Sequence, residues 1–196
     1  MVICFFGDSL TLGTGDQACL GWAGRICVPP VVRGRALTYY NLGIRKNSSR
    51  EIRARWQKEA ARRALPGYET RLVFAMGTGD SAILDGRRNV TPEDTEANAK
   101  AILKEATTAH EVLFIGPPPV ASGEHTARNR ELNQILGTAC ANFGIPYFDI
   151  FARLVESRTY LAGVAANDGV HPRAEGYAEM AAHITVWPAW QEWVAD

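Results

Sequence analysis

The chain has no surplus charge of either sign. Lysine plus arginine and aspartate plus glutamate each number 21 among its 196 residues. Such a balance sets up no global field for nucleic acid or anionic membrane, so neither is an expected partner. No apolar run approaches the roughly 20 residues that cross a bilayer. The N-terminal apolar stretch has no basic region before it and no small-residue cleavage site after it, unlike a secretory leader. A cytoplasmic protein is expected. Cysteine is sparse: Cys4, Cys19, Cys27 and Cys140 form no CxxC pair and lie in apolar sequence. Reduced structural thiols fit this better than a disulfide framework or a metal site. No repeat, low-complexity tract or linker interrupts the chain, so one domain over 1–196 is expected. A hydrophobic share of 46% suffices for a substantial core.

What is present is punctuated regularly. Apolar, β-rich runs occupy 2–6, 38–44, 71–76, 111–115 and 145–150. Helical patterns fill 49–65, 92–109 and 126–143, and Pro172 precedes a further one over 173–184. Alternating strands and helices imply a parallel sheet with helices on both faces. Strands that are apolar throughout suit burial on both sides. Thr91 reads as an N-cap with Pro92 at the first helical position. In such a sheet ligands bind beyond the carboxyl ends of the strands. Ser9, Gly43 and Gly77-Thr78-Gly79-Asp80 all fall just past such ends.

Two segments carry candidate chemistry. Gly7-Asp8-Ser9-Leu10 follows the first strand, and Asp168-Gly169-Val170-His171 lies near the C-terminus. A serine hydroxyl attacks carbonyls only when a base takes its proton. His171 is the candidate base, and Asp168, three residues before it, reaches its other ring nitrogen within one turn. Each segment alone reads as a helix cap. Together on one rim they form the parts of a Ser9-His171-Asp168 triad.

Gly7-Asp8-Ser9-Leu10, Gly43, Gly77-Thr78-Gly79-Asp80 and Asp168-Gly169-Val170-His171 resemble the ordered blocks of the SGNH, or GDSL-type, hydrolases. The resemblance spans nearly the whole chain. It implies a three-layer α/β/α sandwich, flavodoxin-like, with a five-stranded parallel sheet. It implies hydrolysis of an ester, thioester or sugar-bound acyl group, a small-molecule substrate, and no metal or organic cofactor. Ser9 would be nucleophile, His171 base and Asp168 the orienting acid. The N–H groups of Ser9 and Gly43 would form the oxyanion hole, and Asp8 would hold the nucleophile loop.

One block departs from the family pattern. Gly79 stands where the family has the asparagine whose side chain donates to the oxyanion. Losing such a donor costs about 10²–10³ in kcat. Arg45, two residues after Gly43, is the candidate replacement, with Asn47 second. Gly79 would otherwise leave room for water or a substrate group, and Gly79→Asn would restore the donor. The departure also keeps open a different class, a catalytically impaired binding protein on the same fold. A nucleotide-binding protein is disfavoured. Gly77–Ala82 fits a G-x-G-x-x-A fingerprint, but no helix is expected there and Asp85–Asn89 reads as a loop.

Other features read as structure. In 45–63, Ile52, Trp56 and Ala60 form a buried stripe, and Arg45, Lys46, Arg50, Arg53, Arg55, Lys58, Arg62 and Arg63 form a solvated face. Trp187, Trp190 and Trp193 make an aromatic stripe expected to pack on the core, with a homo-oligomer contact as the second reading. His110, His125 and His183 lack a matching acid or ligand pattern and are expected at the surface or in packing.

Overall fold

The computed structural model describes residues 1–195. Strand β1 (Val2–Gly7) leads into a one-turn helix α1 (Ser9–Leu12), then α2 (Gly21–Val32), β2 (Thr38–Gly43) and α3 (Ser49–Ala61). Next come β3 (Thr70–Ala75), the one-turn α4 (Thr78–Ser81), the hairpin strands β4 (Ile83–Leu84) and β5 (Arg87–Arg88), and α5 (Pro92–Ala106). The chain closes with β6 (Val112–Ile115), α6 (Gly123–Asn142), β7 (Tyr147–Phe148), α7 (Ile150–Leu154), α8 (Arg158–Ala165), α9 (Ala174–Thr185) and α10 (Pro188–Val194).

The main sheet has five strands in the order β2-β1-β3-β6-β7, all parallel. This is the flavodoxin-like order, whose first crossover sits beside the end of β1. Every residue of β1 is buried, because it lies between neighbours and under helices on both sides. Alternation divides its side chains. Ile3 and Phe5 face the core under α2, α8, α9 and α10, whereas Val2, Cys4 and Phe6 face that under α3, α5 and α6. The second face takes the expected stripe Ile52, Trp56 and Ala60. Trp190 and Trp193 are buried in the first, and Trp187 packs on Phe148.

Helix starts follow the chemistry of their caps. Ser48 and Glu51 form a capping box on α3, and Thr91 accepts from Asp94 N–H at the start of α5. Several boundaries differ from expectation. The third helix ends at Ala61 rather than near 65, and β7 is only two residues long because Asp149 caps α7. Helix α2 is not legible in the sequence, because Pro29 and Pro30 lie inside it. A helical turn does open at Thr78, and the expected loop at 85–89 is instead a hairpin. Asp85 and Gly86 both have positive φ (49° and 74°), the conformation a two-residue hairpin turn requires. Cys19 is exposed rather than apolar in setting, and all four thiols are free. Among the described residues, no helix is long and apolar enough to cross a membrane.

Candidate active site

Three loops meet at the carboxyl ends of β1, β2 and β3. Asp8 caps α1, its Oδ1 accepting from Leu10 N–H at 2.9 Å, which turns the chain sharply and presents Ser9 as the first helical residue. On the C-terminal side, Asp168 Oδ1 accepts from the N–H groups of Val170 (3.1 Å) and His171 (2.9 Å), closing the turn that carries the imidazole. Asn167 Nδ2 donates to the His171 carbonyl at 3.0 Å, and Ala121 N–H to that of Gly169 at 2.9 Å.

The structure brings Ser9, His171 and Asp168 together. His171 Nε2 lies 2.7 Å from Ser9 Oγ, and His171 Nδ1 lies 2.6 Å from Asp168 Oδ2. Burial opposes ionisation of Asp168, but the bonds from His171 and Val170 outweigh it and hold the carboxyl at about 2. Asp168 is therefore an anion at neutral pH. An anion at Nδ1 places the ring proton there and leaves Nε2 to accept from the hydroxyl. Chemically, such an arrangement can take a proton from the Ser9 hydroxyl.

The expected oxyanion residues behave differently. Gly43 N–H already donates to Asn41 Oδ1 at 3.0 Å. A Cβ at Gly43 would sit 2.2 Å from Leu12 N, so glycine there lets α1 lie across β2. Arg45 is exposed, with no hydrogen bond or ion pair among the described residues. Gly79 leaves no open space, because a Cβ would lie 2.3 Å from the Asn47 carbonyl oxygen. The glycine admits the 44–48 loop rather than water or substrate, and a side-chain donor at position 79 is sterically excluded from this arrangement. Asn47 Oδ1 is taken by Arg55 Nε at 2.8 Å.

Several supporting residues are not visible in the sequence. Arg55 is not part of a solvated face; its side chain is 14% exposed. It donates to the carbonyls of Gly7 (3.0 Å) and Leu42 (2.8 Å) at the ends of β1 and β2. Asp80 is fully buried and accepts from Ser49 N–H and Thr95 Oγ1, each at 2.9 Å, tying α4 to α3 and α5. Burial raises its carboxyl, and raises that of buried Asp8 to about 6 against the N–H bond from Leu10, with the Asp80 charge adding to the rise.

Each carbonyl of α4 finds a partner outside it. His125 Nε2 lies 3.2 Å from that of Thr78, Asn89 donates to that of Gly79 (2.9 Å), Val90 N–H to that of Asp80 (3.0 Å) and Arg128 to that of Ser81 (2.7 Å). His125 Nε2 is also 2.8 Å from Ser81 Oγ. This pair is not a second nucleophile and base. Asn129 Nδ2 donates to the Pro118 carbonyl at 2.8 Å, so its Oδ1 accepts the Ser81 proton, and His125 is the donor to Ser81.

Little enclosed space borders the triad. A void of about 10 Å³ lies behind α1 among Asp8, Leu10, Thr11, Trp22 and Thr78. A larger cleft of about 410 Å³ lies at the amino ends of the strands, lined by Arg71, Glu111 and Trp193, and touches none of the triad. Among the described residues, no group of three His, Cys, Asp or Glu is placed to hold a metal ion.

A flavodoxin-like sheet with a serine, a histidine and an aspartate in hydrogen-bond contact at its carboxyl edge is the architecture of an acyl hydrolase. Residues 5–179 match the GDSL-like Lipase/Acylhydrolase family, and the chain belongs to that family of ester-hydrolysing enzymes. In fold it is similar to the lipase/acylhydrolase from Enterococcus faecalis (TM-score 0.77, 24% identity, covering 94% of this chain and 93% of that one). It is also similar to an acetylxylan esterase from Geobacillus stearothermophilus (TM-score 0.76, 15% identity, covering 100% and 94%). No curated protein matches it in sequence.

Proposed function

We propose that the chain hydrolyses short-chain acyl esters through a Ser9 acyl-enzyme. The contact that carries this is the 2.7 Å approach of His171 Nε2 to Ser9 Oγ, with Asp168 behind the ring. Ser9 Oγ adds to the carbonyl carbon while its proton passes to Nε2, and the π pair moves onto the carbonyl oxygen. Collapse re-forms the carbonyl, breaks the bond to the alcohol and returns the His171 proton to the leaving oxygen. Water then attacks the acyl-enzyme with His171 again as base, releasing the acid and free Ser9.

The preference for short chains rests on the site's walls. The void behind α1 is too small for an acyl chain, and the exposed apolar groups near Ser9 are Leu12 (41%) and Ile44 (43%). An acetyl or similarly small group fits such a rim, in keeping with the activity of the acetylxylan esterase it resembles in fold. A fluorophosphonate probe and a series of nitrophenyl esters test the reading. Stoichiometric labelling, lost in Ser9→Ala, with turnover falling as the acyl chain lengthens, is the expected result. A wild-type protein that neither labels nor turns over the acetyl ester overturns it in favour of a binding protein.

A further inference from the structure

In the loop between β2 and α3 some backbone N–H groups are paired and two are not. Ile44 N–H donates to the Gly7 carbonyl (3.1 Å), Asn47 N–H to that of Ile44 (3.2 Å), and Ser49 N–H to Asp80 (2.9 Å). Gly43 N–H goes to Asn41. The N–H groups of Arg45 and Lys46 bond nothing among the described residues. Ser9 N–H is in the same condition as the first amide of α1.

The bond from Asn47 to Ile44 closes a four-residue turn with Lys46 third. Lys46 has φ +66°, the left-handed region that glycine enters freely and lysine enters under strain. Glycine would hold the same turn without that strain, so the strain accompanies the side chain. The ammonium makes no ion pair among the described residues. The turn also lies against Gly79, the block that lacks the family's carboxamide, since the Asn47 carbonyl fills the space of a Cβ there.

We propose that Lys46 completes the oxyanion hole. Its N–H joins that of Ser9 on the carbonyl oxygen, and its ammonium supplies the positive charge that the missing side-chain donor at position 79 does not. Negative charge appears on that oxygen only when Ser9 Oγ bonds the carbon, so the interaction strengthens on the way to the transition state. This rests on Ser9 as nucleophile.

Lys46→Gly separates the two contributions, because glycine keeps both the turn and the N–H while removing the charge. With a nitrophenyl acetate substrate, kcat is expected to fall about tenfold or more, with KM within about twofold and the urea midpoint unchanged or higher. Inhibition by an alkylboronic acid, which forms a tetrahedral anion on serine, should weaken in parallel. Lys46→Arg should keep most of the activity. An unchanged kcat in Lys46→Gly, or a change confined to KM, overturns the assignment of the ammonium. Fluorophosphonate labelling keeps the two readings apart: if the wild type labels at Ser9 and Lys46→Gly turns over normally, only the role of the Lys46 ammonium falls. If the wild type does not label, the nucleophile reading falls with it.

Discussion

Arg55 donates to the carbonyl of Gly7, two residues before the candidate nucleophile, at 3.0 Å. The same nitrogen reaches the Leu42 carbonyl, and Nε reaches Asn47, so one guanidinium spans the nucleophile strand, its neighbour and the loop above them. Glu59 lies 3.1 Å from Nη1 and keeps the fork oriented. Arg55→Ala leaves two carbonyls at strand ends without their donor. It should lower unfolding free energy by about 2–3 kcal/mol and reduce kcat more than KM. Arg55→Lys should recover only part of both, because one ammonium lacks the planar fork. Urea unfolding with parallel kinetics checks this; a neutral Arg55→Ala would remove the bracing role.

Gly79→Asn reproduces the family block yet should impair the protein. Its Cβ would press on the Asn47 carbonyl, and the loop would have to retreat. A destabilisation of about 1–3 kcal/mol is expected, with lower turnover. Gly79→Ala should show most of the same loss, since the clash begins at Cβ. Higher turnover in Gly79→Asn would show that the loop yields and that the donor was simply missing.

Asp168→Asn keeps the shape of the turn but removes the anion that fixes the imidazole tautomer. A fall in kcat of about 10⁴ is expected, while Ser9 stays in place. Single-turnover kinetics should show the loss in both acylation and deacylation, since His171 is the base in each. A loss below tenfold would detach Asp168 from the chemistry.

Asp8 and Asp168 should act oppositely on stability. The Asp8 carboxyl titrates near 6 when folded against its ordinary 3.8, so the folded state holds more protons between those values. Stability therefore falls as pH rises through that window, by about 3 kcal/mol in total. The Asp168 carboxyl is held at about 2, below its ordinary 3.8. Its contribution is present above that ordinary value and is lost as pH falls toward 2. Asp8→Asn should flatten the profile from pH 4 to 6 (about the Asp8 window), and its carboxamide oxygen still caps Leu10. Equal slopes in variant and wild type would contradict the burial of an ionising Asp8.

The five strands of a parallel sheet and the meeting of Ser9, Asp168 and His171 were legible because each depends on local chemistry, whereas the flavodoxin-like arrangement came from the family resemblance. A serine past an apolar run, and an acid three residues from a histidine, need only a parallel sheet to bring them together. Arg55 was not legible. It flanks the buried stripe of α3, where a charged residue ordinarily faces water, and only the packed sheet offers it carbonyls. Gly43 shows the same limit. Its place past β2 was clear, but Asn41 reaches back to take its N–H, a contact the spacing does not announce. The hairpin after α4 went unseen because strands of two residues carry no periodicity, although Asp85-Gly86 marks the turn.

Helix α4 has a single turn and no rigidity of its own. The groups that hold its four carbonyls come from the 82–90 segment and from one face of α6. Order beside Ser9 is thus maintained from a distance. A protease nick within 83–88 would leave the five-stranded sheet standing while the floor next to the hydroxyl lost its bearings, so wear in this molecule should show first as failing turnover and only later as unfolding.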